Sequence, residues 1–176
     1  LIDAGAHDKD ALRTAAIHQQ PLTLELAKLL IDVGAFDKSA LSMAAERQHP
    51  LSLELAKLLI DAGAFDKGAL SIAAAYQQPL TLELAKLLID AGCDPTAHNG
   101  NGWDALVWLA WDSHPVDPQV TELFLSYGCR TGLNECACIE DEHRLRFDQI
   151  LKEHAQWKLD QESAPADGFC DVNWGR

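Results

Sequence analysis

The chain repeats itself every 29 residues, and this limits its fold more than any other feature. Residues 30–58 read LIDVGAFDKSALSMAAERQHPLSLELAKL, and residues 59–87 read LIDAGAFDKGALSIAAAYQQPLTLELAKL. The two align without a gap and differ at seven of 29 positions. Residues 1–29 fall in the same frame. A unit this short cannot bury an apolar face by itself, so neighbouring units must stack. A longer fourth copy follows, in which Ala105, Leu106, Pro115 and Gly128 lie 36 positions after Ala69, Leu70, Pro79 and Gly92. Its seven extra residues fall between Gly92 and Ala105, in CDPTAHNGNGWD.

Each unit reads as helix, turn, helix. Asp8, Asp37 and Asp66 precede alanine-rich stretches and are expected to N-cap them, with Ser39 as an alternative in its unit. A proline at 21, 50, 79 or 115 then breaks the chain, because the residue before proline avoids the α region. Thr23, Ser52 and Thr81 follow as expected caps of the second helix, each with Glu two residues on, near the positive helix end. In the long unit Asp117-Pro118 takes that place. Gly5, Gly34, Gly63, Gly92 and Gly128 are placed to close the second helices in the left-handed conformation. The second helix, LTLELAKLLID, carries leucine on nearly every side and must be buried on several faces. Leu1 falls in the last turn of such a helix, so the expectation is a truncated start or an array with more units ahead of it.

SALSMAA (39–45), LELAKLLIDAGA in the repeat's second helix and GCDPTAHNGNGWDALVWLA (92–110) resemble ankyrin repeats. Gly102 lies on that family's turn glycine, and Asp94, Asn99 and Asn101 on its β-hairpin finger. The resemblance covers about residues 1–129. It implies an all-α stack of helix pairs with one finger, in the long unit. The family's Thr-Pro-Leu-His is absent; Ala40-Leu41-Ser42 stands in its place. The short units lack most of the finger and insert about three residues between their helices, which turns about 33 into 29. A TPR-like or HEAT-like stack is the alternative.

The repeats also allow an internal comparison. Within the first helix the varying positions are 10, 13, 14, 17 and 18 and their equivalents, which lie in one arc of roughly 140°. Ala11, Leu12, Ala15 and Ala16 do not vary and mark the packing side. In the ankyrin family the first helices line the concave, partner-binding surface. The resemblance therefore points to Arg13, Ile17, His18, Glu46, Arg47 and Tyr76, with Trp108, Trp111 and Asp112 from the long unit. Arg, Tyr and Trp are the types enriched at interface hot spots. The bland alternative is a drifting solvent face with its tryptophans buried as a cap. Asn99, Asn101 and Trp103 of the finger form a second candidate contact, although the two Asn-Gly pairs are also explained by a plain turn.

No hydrolase, zinc-protease or phosphate-loop motif occurs, so neither an enzyme nor a cofactor is expected. Cys129, Cys136, Cys138 and His143 are spaced C-x6-C-x-C-x4-H, which raises zinc. C-x-C is the less usual spacing, and ordinary reduced cysteines fit an odd count of five better. A helix over about 139–159, with Leu145, Ile150, Leu151 and Trp157 on its apolar side, is expected to cap the stack within residues 130–160, ahead of an irregular tail over 161–176.

Acids outnumber bases 27 to 14, which disfavours nucleic acid and anionic membranes as partners. Residues 1–87 hold 11 acids and 8 bases, a net of −3; residues 88–176 hold 16 and 6, a net of −10. The acidity thus lies beside the tryptophans, and a protein partner with a basic patch is expected there. The resulting expectation is a cytoplasmic protein-binding module acting as scaffold, inhibitor or bacterial effector or immunity-type binder. The alternative is the targeting module of a larger enzyme or toxin.

Overall fold

The computed structural model describes residues 10–19, 21–35, 37–48, 50–77, 79–98, 102–111, 115–129 and 141–163. Helices are its regular structure; no strand occurs among the described residues. Four helix pairs follow in order: α1 (Ala11–His18) and α2 (Leu24–Asp32), α3 (Ala40–Arg47) and α4 (Leu53–Asp61), α5 (Ala69–Tyr76) and α6 (Leu82–Asp90), α7 (Ala105–Leu109) and α8 (Pro118–Ser126). A long helix, α9 (Asp141–Ser163), follows. The first helices pack in series, α1 on α3 on α5 on α7, and the second helices form a layer beside them, α2 on α4 on α6 on α8. The helix α9 lies on α8. No described helix is long and apolar enough to cross a membrane.

The two layers use different side chains for different reasons. Ala16, Ala40, Ala44, Ala45, Ala69, Ala73 and Ala74 are buried between first helices, where small side chains let neighbouring helices approach closely. Leu12, Leu41, Leu70 and Leu106 are at most 1% exposed and join the same core as the second-helix leucines. In that layer Leu55, Ala56 and Leu59 of α4 are buried, while Leu53, Leu58 and Ile60 are half-buried. This is the many-sided burial that the leucine pattern demands.

The ends of the second helices follow the sequence closely. The hydroxyls of Thr23, Ser52 and Thr81 accept from the backbone N–H of Leu26, Leu55 and Leu84 at 3.2, 3.2 and 3.3 Å. Asp117 Oδ1 accepts from Gln119 N at 2.8 Å, with Pro118 at the first helical position. Gly34, Gly63, Gly92 and Gly128 all have φ between 72° and 101°, a conformation glycine adopts without a Cβ penalty.

The starts of the first helices differ from expectation at Asp37 and Asp66, while Ser39, the alternative, does occupy the cap position of α3. Asp37 Oδ1 accepts from the N–H and hydroxyl of Ser39, and Asp66 Oδ1 accepts from Gly68 N at 2.7 Å. Each aspartate therefore makes a tight turn two residues long, and the helix begins just beyond it. The N-cap positions are Asp10, Ser39 and Gly68, none with a side-chain capping bond. Asp66 also bonds across the units. Ser42 Oγ lies 2.9 Å from both its carboxylate oxygens, tying α3 to the start of the next pair. Asp8 and Gly5 lie outside the described residues.

A repeated polar clamp joins the pairs. The Gln48 amide donates to Ala16 O at 3.0 Å and Gln19 O at 2.7 Å, and its Oε1 accepts from Leu22 N at 2.8 Å. Gln77 does the same one unit on, with Ala45 O, Gln48 O and Leu51 N, each at 2.7 Å. The inter-helix turn of one pair is thus satisfied by a buried side chain of the next, as buried backbone groups require.

The helix α9 runs past its expected end, and of the four residues expected on its apolar side Leu145 alone faces solvent. It runs from Asp141 to Ser163, taking in the first residues of the expected tail, and buries Phe147, Ile150 and His154. Leu145 is 71% exposed. The spacing 147, 150, 154 sets the packing face, and Leu145 precedes it by two residues, about 200° around the helix.

Candidate partner-binding surface

The end of each first helix sets which varying side chains reach solvent. Arg13 and His18 are exposed on α1, where Ile17 is half-buried; Arg47 is exposed on α3, beside a half-buried Glu46. Tyr76 is 45% exposed on α5. The arc is not open across its width: Ser42 and Ala75, which occupy varying positions, are buried. On α3 and α5 the exposed strip therefore narrows toward the last turn, the positions of Arg47 and Tyr76, while α1 exposes Arg13 and Thr14 as well as His18. Arg47 Nη2 lies 3.0 Å from Glu46 Oε1, so the two neighbours carry charge on that strip as a pair.

The strip ends on an aromatic cluster. The Trp103 ring lies 5.0 Å from Trp108 at 73° and 5.0 Å from Trp111 at 45°, and Trp108 to Trp111 is 5.7 Å. His143, in the first turn of α9, stacks on Trp111 at 4.5 Å and 29°. Trp111 is 47% exposed, Trp108 is half-buried and Trp103 is only 6% exposed. Trp103, expected on the finger as a contact, is instead an inner wall that supports Trp108 and Trp111. Asn99, Asn101 and Asp112 lie outside the described residues.

The segment before α7 is folded by its own polar groups. Asp94 Oδ1 accepts from Thr96 N at 2.9 Å and Thr96 Oγ1 at 2.7 Å, which holds its carboxyl below the usual range. Thr96 O lies 2.7 Å from Nδ1 of the exposed His98. Asp104, 1% exposed, caps α7 by accepting from Val107 N at 3.0 Å. Ala105 N donates to Pro95 O at 3.0 Å, so the start of the segment is tied to the start of α7.

Cys93 and Cys129 follow the closing glycines, where the shorter units have alanine. Both are buried free thiols. Cys129 Sγ lies 3.2 Å from Pro95 O, and burial pushes its thiol up to about 12. Cys136 and Cys138 lie outside the described residues. No cluster of His, Cys, Asp and Glu able to hold a metal occurs among the described residues.

Two polar groupings escaped the sequence reading. The glutamine at 19, 48 and 77 is unvarying across units, which was a signal, but its partners lie 26 to 32 positions away. The other is at the α8–α9 contact, where Glu122 accepts from His154 Nε2 at 2.6 Å and Lys158 Nζ at 3.1 Å. No family model, curated protein or solved structure matches this chain.

Proposed function

We propose that this chain is an ankyrin-like stack whose first-helix strip holds a protein partner, with no chemistry of its own. One observation carries the reading: Tyr76 and Trp111 stand 45% and 47% exposed along the strip where the units diverge, while the packing positions between units stay constant. Tyr and Trp are the residue types enriched at interface hot spots. Arg47 supplies a planar charged group at the equivalent position one unit before Tyr76. The net charge of −10 over residues 88–176 favours a partner presenting a basic patch next to Trp111. Rigid recognition of this kind needs no moving part.

A photocrosslinker placed at Tyr76, and separately at Lys57 on the second-helix layer, tests the reading in native lysate. Crosslinks to one protein from position 76 and none from position 57 are expected. Arg47→Glu with Tyr76→Ala should then abolish capture of that protein by the unlabelled chain. Undiminished capture by the double variant overturns the proposal.

A further inference from the structure

An open groove of about 240 Å³ runs between α6, α8 and α9. Leu82 and Lys86 line it from α6, Glu122 and Leu123 from α8, and Trp157 from α9. Leu82, Leu123 and Trp157 are half-buried, and Lys86 is exposed. The α9 wall is held in place by its neighbours. Trp157 stacks on His154 at 5.9 Å and 30°, and His154 Nε2 lies 2.6 Å from Glu122 Oε2. Glu122 spends its other oxygen on Lys158 Nζ at 3.1 Å. Both oxygens of that carboxylate are thus committed to α9. Among the described residues Lys86 forms no ion pair. The groove therefore offers an apolar floor and a cation without a counter-charge.

We infer that this groove is the docking site of the chain's own residues 164–176, with the Phe169 ring on Leu82, Leu123 and Trp157 and the Asp171 carboxylate on Lys86. These residues follow Ser163 directly and lie outside the described ones. An open groove of this size holds a free ligand poorly, since small-molecule sites enclose about 300–1,000 Å³ and bury most of their ligand. A tethered segment escapes that limit, because its effective concentration is in roughly the millimolar range. The chain length fits. Helix α9 rises about 9 Å from Trp157 to Ser163, and the six residues from Ser163 to Phe169 reach up to about 20 Å when extended. Phe169 can therefore turn back to the level of Trp157. Turn residues stand in between: Pro165, just past the end of α9, and then Asp167-Gly168. In an extended segment residues 169 and 171 share one side, and Cys170, Val172 and Trp174 take the other. One aromatic ring and one carboxylate then face the groove together, which is what its floor and its cation require. The groove lies on the second helices and α9, so its occupant does not depend on what the first-helix strip binds.

Carbodiimide couples an amine to a carboxylate only where the two meet, and this supplies the test. Applied to the full chain at high dilution and followed by peptide mapping, it should link Lys86 to Asp171. Lys57, the same position one unit earlier, should stay unlinked to residues 164–176. Phe169→Ala should cut the Lys86–Asp171 yield about fivefold, because the ring supplies most of the apolar burial. Val172→Ala, on the other side of the segment, should leave the yield unchanged. Nuclear Overhauser contacts from the Phe169 ring to the methyls of Leu82 and Leu123 give a second readout that does not depend on the ion pair. Links from Lys86 and Lys57 in equal yield, a yield untouched by Phe169→Ala, or the absence of ring-to-methyl contacts each overturns the inference. So does a link that joins labelled to unlabelled chains in an isotope mixture, since a second copy would then supply the occupant.

Discussion

Gln77 carries three hydrogen bonds on one side chain, and its neighbours are alanine, leucine and backbone. Gln77→Ala leaves Ala45 O, Gln48 O and Leu51 N facing a space too apolar to satisfy them. The expected cost is about 2–4 kcal/mol, the penalty for stranding buried polar groups, read as a lower urea midpoint. Gln77→Glu should be no milder, because it sets carboxylate oxygens against two carbonyls. The residue was visible as unvarying in all three short units, yet its role was not. Spacing within a unit shows helix faces, whereas the clamp is made between units. Trp103 shows the opposite failure: the Asn-Gly turns placed it on an outward finger, and the ring turned inward onto Trp108 and Trp111.

The second helices were legible down to their capping hydroxyls, because cap, carboxylate and closing glycine are all local. The first helices were read in the right place but started late, since Asp37 and Asp66 spend their carboxylates on turns ahead of the helix. The apolar side of α9 was read correctly at Ile150, Leu151 and Trp157 but not at Leu145. That residue faces solvent while Phe147 is buried, because the face is chosen by what α8 presents. Part of what α8 presents is Glu122, whose carboxyl is held below its ordinary 4.5 mainly by the Lys158 hydrogen bond and then by that of His154. A depressed carboxyl stabilises the fold above its unfolded value, and that contribution is lost as pH falls through the folded one. Glu122→Gln should therefore lower thermal stability near neutral pH, by about 1 kcal/mol or less because the group is partly exposed. The gap between variant and parent should narrow as pH falls below the ordinary 4.5 and close once the depressed folded value has been passed. A gap that persists unchanged into acid would remove Glu122 from the α8–α9 contact's energetics.

Across the whole stack, position rather than identity decides what a residue is worth. Leu26 and Leu55 sit in the same local sequence, LELAKLLID, but only Leu55 is covered on its upstream side. Leu55→Ala should cost about 3 kcal/mol, and Leu26→Ala about half of that, in parallel urea titrations. Equal costs would mean that the helix pairs do not rely on their upstream neighbours. The acidity is likewise a property of place: the repeats are nearly neutral, and the charge gathers where α7, α8 and α9 close the stack. The glutamine clamp has one more consequence, and it concerns the length of the stack. Because each joint is made by the same residues in the same frame, a unit of 29 residues can be added or removed within the stack and the joints on either side are made by the same residues again. The length of the stack can thus change in steps of one unit, without a new core each time.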